Sequence, residues 1–117
     1  MAKAYKRLLS ESVDGKPILI TKTSTSGDLI HTAVAGTVDG TYDEIWLWAF
    51  GIGDASVVLT IEFGDTSGPP IIVVIPAQSG MVPVVPGNIL QNAATVTAFA
   101  SDADVVAIIG FVNAISD

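Results

Sequence analysis

Turn residues divide this chain at short, regular intervals, and that spacing limits the fold more than any other feature. Gly, Pro, Asp and Asn clusters recur roughly every 8–12 residues, as at residues 14–15, 39–40 and 76–80. The segments between them are rich in β-branched and apolar residues and carry no helix caps. Eight or nine short strands at this spacing are typical of an antiparallel β-sandwich or barrel. We therefore predict an all-β fold.

The predicted strands follow from the segments between turns. Gly110 is expected to form a bulge or a site of close approach, and Pro83 suits an edge strand or a bulge. The stretch 57–63 alternates cleanly, which predicts Leu59 and Ile61 in the core and Glu62 facing water. Residues 5–13 are open to two interpretations, a short strand or an extended arm. The other strands are predicted at residues 18–23, 29–35, 41–50, 57–63, 71–75, 81–85, 94–100 and 105–114.

The strand that holds both tryptophans is apolar on both faces. A period of two places Trp46, Trp48 and Phe50 on one face, opposite Ile45 and Leu47. Such a strand must be covered on both sides. In a chain of 117 residues, a second sheet supplies one cover, and we expect another molecule to supply the other.

Two assignments of these faces are possible. We predict that the aromatic face fills the core, so that Ile45 and Leu47 meet a neighbouring sheet or subunit. The reverse assignment, with Trp46 and Trp48 at a subunit interface, stays open because interfaces favour aromatic residues. The stretches 71–75 and 105–112 are also apolar on both faces, and we expect them to share one doubly covered sheet with this strand.

Composition supports an assembling protein. Half of the residues are hydrophobic and 15% are charged, against about 25% in an average domain. All five basic residues lie within the first 22 positions, and ten acidic residues follow them. We therefore divide the chain into a basic amino-terminal arm, residues 1–12, and an acidic β-sandwich domain, residues 13–117. The acidic body argues against a nucleic-acid partner, because phosphate contacts need Lys or Arg.

The arm is open to two interpretations. Its cations Lys3, Lys6 and Arg7 can attract an acidic neighbour, or the arm can be merely solvated, as termini commonly are. We expect that removing residues 1–10 weakens assembly and leaves the sandwich folded.

The sequence offers little for catalysis, and we predict no enzyme, cofactor or catalytic residue. The lone His31 lies in a predicted strand with no sequence motif to supply a nucleophile, so a structural role is favoured. The chain has no cysteine. Asp54, Asp102 and Asp104 lie in turns, where carboxylates bind either calcium or their own backbone.

Membrane insertion is also not expected. Residues 66–101 carry no charge, but five prolines and three glycines interrupt them, so they cannot form a membrane-spanning helix. We predict no membrane partner.

Trp46 and Trp48 also permit a carbohydrate platform, because sugar faces stack on indole. Apolar residues on the opposite face of the strand favour a core or a subunit interface instead.

Five segments are distinctive: DEIWLWA at 43–49, LTIEFG at 59–64, IPAQSG at 75–80, VTAFA at 96–100 and GFVN at 110–113. Together they resemble small β-sandwich structural proteins of tailed bacteriophages, closest to the head decoration, or cement, proteins. The likeness spans about residues 28–115.

The resemblance implies a jelly-roll-like antiparallel sandwich, usually a trimer, that sits on the outer surface of the phage head and stiffens the expanded shell. The major capsid protein would be its partner. We expect Lys3, Lys6 and Arg7 to contact the capsid. The alternative is a carbohydrate- or receptor-binding module of a phage tail or fibre.

Overall fold

The computed structural model describes residues 3–116 and contains nine β-strands in two antiparallel sheets. The predicted all-β, antiparallel sandwich is confirmed. In residues 3–116 no helix is long and apolar enough to cross a membrane. The strands are β1 (Lys3–Leu8), β2 (Ile18–Leu19), β3 (Asp28–Thr32), β4 (Tyr42–Gly51), β5 (Val57–Gly64), β6 (Ile71–Ile75), β7 (Val82–Leu90), β8 (Thr95–Ala100) and β9 (Val106–Ser116).

Strand pairing is nested along the chain. Sheet A has the order β1-β9-β4-β7, with β2 also paired to β9, and sheet B has the order β3-β8-β5-β6. Strand β5 pairs with β6, β4 with β7, β3 with β8 and β2 with β9. The chain therefore forms a long two-stranded ribbon whose successive pairs alternate between the two sheets.

The core lies between the sheets and is almost entirely aliphatic. Ile45, Leu47 and Ala49 of β4 face Leu59 and Ile61 of β5, and none of the five is more than 1% exposed. Buried positions alternate with half-buried ones along β4, as a period of two requires. Further fully buried members are Ile20, Ile30, Ile75, Val96, Ala98, Ala100, Val106 and Ile108.

Irregular pairing occurs where the sequence indicates it. Strand β7 is the outer strand of sheet A, and its register with β4 shifts twice, near Pro83 and near Pro86. The predicted edge or bulge at Pro83 is confirmed. Gly110 is a site of close approach, as predicted, because a Cβ there would lie 2.0 Å from the carbonyl oxygen of Trp46.

Strand β6 differs from its prediction. It was expected beside β4 and β9 in one doubly covered sheet, but it forms the outer strand of sheet B and pairs with β5. A continuous apolar run predicts a strand with a buried face, but it does not predict which strands lie beside it in the sheet.

The predicted amino-terminal arm is a strand over residues 3–8. All six residues of β1 pair with β9, from Lys3 opposite Ser116 to Leu8 opposite Phe111. Leu9, which follows, is 2% exposed and belongs to the core. The expectation that the sandwich stays folded without residues 1–10 assumed a free arm, and the described residues 3–9 belong to the sheet and the core. Residues 1, 2 and 117 lie outside the described part of the chain.

Glu62 was predicted to face water, and it is buried. It does lie on the outer face of sheet B, but the β2–β3 loop covers it, so that 4% of the residue is exposed. Its carboxylate accepts hydrogen bonds from the Gly27 amide at 2.9 Å, the Thr97 hydroxyl at 2.6 Å and the Thr25 hydroxyl. Burial raises the pKa of Glu62, but these three donors outweigh it, and the pKa lies below its ordinary value.

Leu8 and Leu9 provide a matched test of the amino-terminal segment. We expect Leu9→Ala to lower the free energy of unfolding by about 2–5 kcal/mol, because it leaves a cavity in the core. Leu8 is 53% exposed, and Leu8→Ala should change that energy by no more than about 0.5 kcal/mol. Urea denaturation measures both. Equal effects would show that the segment does not close the core.

Glu62 should make stability depend on pH in a defined direction. Its folded-state pKa is below the ordinary value of 4.5, so its stabilising contribution is complete above that pH and is lost as the pH falls through the lower folded-state pKa. We expect Glu62→Gln to cost about 1–3 kcal/mol at pH 7 and progressively less below pH 4.5. Denaturation curves from pH 3 to 7 measure this. Glu11→Gln, at an exposed position, is the control. A pH-independent deficit in Glu62→Gln would refute the assignment.

Candidate interaction face

The outer face of sheet A carries large apolar side chains with few charges among them. Its centre is Trp46 and Trp48 on β4 beside Phe111 on β9, all half-buried. Leu8 on β1 and Ile89 on β7 extend it to both sides, and they are 53% and 48% exposed. We call this surface the aromatic face; its other members are Tyr42, Glu44, Phe50, Lys6, Pro83, Pro86, Ile109, Asn113 and Ile115.

The three central rings lie side by side. Their planes differ by 16–29°, and each pair of ring centroids is 6.0–6.5 Å apart. In a single column of three rings, the outer two would be about twice as far apart as neighbours. The rings of Trp46, Trp48 and Phe111 therefore form a compact group instead of a column.

Gly87 shows how this group is oriented. A Cβ built on Gly87 would lie 2.7–3.2 Å from three consecutive atoms of the Trp46 ring, Cε2, Cζ2 and Cη2. Similar distances to three bonded atoms mean that the ring covers Gly87 with its face. The other two rings are within 21° of parallel to the Trp46 ring, so the group lies roughly along the sheet.

Glu44 fixes the position of the indole. Its Oε1 accepts hydrogen bonds from the Trp46 ring nitrogen at 2.7 Å and from the Asn113 side-chain amide at 3.0 Å. The Asn113 bond, followed by the Trp46 bond, outweighs slight burial and lowers the pKa of Glu44. On the other side, the Lys6 ammonium lies 4.7 Å from the centroid of the Phe111 ring, a cation–π contact.

The predicted assignment of the two faces of β4 is wrong. Ile45 and Leu47 were expected at a neighbouring sheet or subunit, but they are fully buried within this chain and cannot form a subunit interface. Trp46, Trp48 and Phe50 were expected in the core and lie on the outer face. The space between the sheets is filled by aliphatic side chains from both sides, and the register of β9 brings Phe111 to the tryptophan side.

The basic residues of β1 do not form one patch. Lys6 points to the aromatic face, whereas Lys3 and Arg7 alternate to the other side of the strand. All three are exposed, and no salt bridge to them occurs within residues 3–116. They line the β1 edge of sheet A.

His31 occupies a closed hydrogen-bond network. Its Nδ1 accepts the Ser10 backbone N–H at 2.9 Å, so the proton of the neutral ring is on Nε2, which contacts the Asp43 carboxylate at 2.7 Å. The Ser10 hydroxyl accepts the Thr32 backbone N–H at 2.8 Å and is not bonded to the imidazole. A Ser–His–Asp relay needs the serine hydroxyl on the imidazole, so this trio closes β1 onto β3 and β4 instead.

A groove of about 480 Å³ lies beside this network. Arg7, Tyr5 and Ser116 line it together with His31 and Asp43. Both ring nitrogens of His31 are already engaged, so the groove contains no unoccupied imidazole base.

The turn aspartates are at one end of the sandwich. Asp54 follows β4, and its carboxylate accepts a hydrogen bond from Gln78 at 3.3 Å, while Asp102 and Asp104 lie between β8 and β9. Among residues 3–116, no group of three or more His, Asp or Glu side chains is arranged to hold a metal ion.

Comparison with known protein families, with curated proteins and with solved structures found no match.

Sequence reasoning found the two tryptophans but missed their partners. Only the β4–β9 and β4–β7 registers bring Phe111, Asn113 and Gly87 to the rings, so the sequence did not indicate them. A period of two does place Glu44 on the face of Trp46, but it does not predict their hydrogen bond.

Gly87 and Gly36 allow a matched test of the ring packing. Both have positive φ, +85° and +91°, so alanine strains the backbone at each. A Cβ at Gly36 meets no atom within 4 Å, whereas at Gly87 it meets Trp46. We expect Gly87→Ala to cost about 1–3 kcal/mol more than Gly36→Ala, with a shift in tryptophan emission for Gly87→Ala alone. Equal costs and unchanged emission would contradict the described packing.

Proposed function

We propose that this chain is a non-enzymatic virion structural protein that decorates and stabilises the capsid shell of a tailed bacteriophage, assembling as a trimer. The observation that carries the proposal is the aromatic face. Monomeric proteins rarely expose a large contiguous apolar patch, and such patches mark interaction sites. Trp, Tyr and Phe are the residue types that interfaces favour.

The size of the aromatic face suits a stable contact. Strands lie about 4.8 Å apart and rise about 3.4 Å per residue, so four strands and the ten residues of β4 give a face of about 20 by 30 Å. That is about 600 Å², against about 800 Å² per partner in a standard interface. Trp46 and Trp48, at its centre, have the position expected of energetic hot spots.

The basic edge of the sandwich supports a second contact, with the shell. Lys3, Lys6 and Arg7 are exposed along β1, while the rest of the chain is acidic. Cations collected at one edge orient an acidic subunit toward an acidic partner surface. We assign this edge to the major capsid protein on the outer surface of the head.

The mechanism is stabilisation by mass action. A protein that binds only the assembled shell favours the assembled state in proportion to its binding free energy. No chemical step is required of it. The nested strand pairing, typical of jelly-roll sandwiches, supports the same class of protein.

A second candidate function is favoured by one observation. The half-buried rings of Trp46 and Trp48 lie beside the Glu44 carboxylate and the Asn113 amide on the outer face of sheet A. Aromatic faces next to polar side chains also suit the apolar and hydroxyl sides of a sugar ring. A carbohydrate- or receptor-binding module is therefore the alternative.

Trp48→Lys tests the leading proposal. The wild-type chain should sediment as a trimer of about 36 kDa, three times its 12.0 kDa, and should bind expanded heads assembled from the major capsid protein of the same genome. Trp48→Lys places a charge in the centre of the aromatic face, and we expect a monomer with at least tenfold weaker head binding. Sedimentation velocity and head pelleting measure these.

Val13→Lys is the matched control, because Val13 is 67% exposed and lies outside the aromatic face. It should retain the trimer. The proposal would be overturned if the wild-type chain is a monomer that does not bind heads. Binding of polysaccharides through Trp48 would then favour the alternative.

A further inference from the structure

The two sheets have four edges, formed by β1 with the two-residue β2, by β7, by β3 and by β6. The first three edges carry features that prevent pairing with another chain. An unprotected sheet edge offers unpaired backbone N–H and C=O groups, and natural proteins protect edges with charges, prolines or bulges. Strand β1 carries Lys3, Lys6 and Arg7. Strand β7 contains Pro83 and Pro86 with two register shifts, and β3 has a register shift after Leu29.

Strand β6 has none of these features. Its sequence, Ile71 to Ile75, is Ile-Ile-Val-Val-Ile, with no charge and no proline. Its five residues pair with β5 in unbroken register, so no bulge turns the strand away from a neighbour. Ile72 and Val74 are 63% and 61% exposed. This is the one outer strand in residues 3–116 that is shaped to accept another strand.

We propose that β6 pairs antiparallel with β6 of a second copy of this chain and joins two B sheets into one sheet of eight strands. The sequence of β6 is compatible with itself about a two-fold axis at Val73. In that register Ile71 lies opposite Ile75 of the copy, and Ile72 lies opposite Val74 of the copy. Every cross-strand pair is then β-branched, the type that stabilises sheets.

The distribution of charge favours the same edge, β6, and the same partner, a second copy of the chain. The chain carries a net charge of −7, so two copies repel each other over most of their surfaces. Residues 66–101 contain no charged residue, and they include β6, β7 and the turn between them. The two β6 strands themselves can therefore pair without placing like charges opposite each other. Self-pairing of β1 would instead bring the three cations of each copy close together.

The outer face of sheet B continues across the contact. Val58 lies opposite Val74, and Thr60 opposite Ile72, in the β5–β6 register. Val58 is 40% exposed. In the pair of copies, the exposed side chains of both β6 strands stand next to each other and remove apolar surface from water. This contact uses neither Trp46 nor Trp48, so it is independent of the proposed trimer.

Cysteine crosslinking tests the pairing, because the chain has no cysteine of its own. In the full-length chain, Val73→Cys should form a disulfide-linked dimer under mild oxidation at least tenfold faster than Val38→Cys. Directly opposed residues of an antiparallel pair bring their Cβ atoms about 4.5–5.5 Å apart. Val38 is 67% exposed in a loop, so the crosslinking rate of Val38→Cys measures random collision. Leu29→Cys, which is 37% exposed on the protected β3 edge, should behave like Val38→Cys.

A charge on the edge should abolish the reaction. Adding Ile72→Lys and Val74→Lys to Val73→Cys should reduce crosslinking to the Val38→Cys rate, with an unchanged circular dichroism spectrum, because both side chains are exposed. Trp48→Lys added to Val73→Cys should leave the fast crosslink intact, which separates this contact from the aromatic face.

The pairing is refuted by any of three results. These are a Val73→Cys rate no faster than that of Val38→Cys, an equally fast crosslink at Leu29→Cys, or a fast crosslink that survives the two lysines. Loss of the crosslink in the Trp48→Lys background would also overturn it, since the contact would then belong to the aromatic face.

Discussion

The pairing of β4 with β9 is the interaction on which the rest of this structure depends. Ten residues of β4 are in continuous register with β9, and Gly110 permits the close approach at its centre. On the inner side, that register brings together Ile45 with Val112 and so builds the core. On the outer side, it brings Trp46 to Phe111. One strand pair thus determines both the stability of the sandwich and the composition of its most apolar surface.

Much of the fold follows from local chemistry. Turn residues at short intervals predict the strands, and the predicted bounds agree closely with the structure for β5, β6 and β8. Alternation also separates the two faces of β4 correctly. It cannot say which face is inside, because the pattern is symmetric when both faces are apolar. The registers of β7 and β9 decide that question, and they depend on residues far away in the chain.

Glu62 and Lys6 show a related limit. A glutamate in an alternating strand indicates the solvent face, and Glu62 does point outward, but a distant loop with Thr25 and Gly27 covers it. A basic segment at a terminus suggests a free arm, but β1 completes a sheet. Both errors have one cause, which is that composition describes a residue's preference and tertiary contacts decide its environment. Candidate site residues are the hardest to predict from sequence, because Phe111 and Asn113 matter only through the residues that they contact in the fold.

The nested pairing has a consequence for how the chain folds. Only residues 65–70 separate β5 from β6, whereas residues 20–105 separate β2 from β9. Closing a longer loop costs more conformational entropy, and non-local pairing slows folding. The innermost hairpin therefore costs least to form, and its second strand is the unprotected β6. During synthesis, the outer strand without charge, proline or bulge is therefore part of the hairpin that can close before the strand pairs that enclose it.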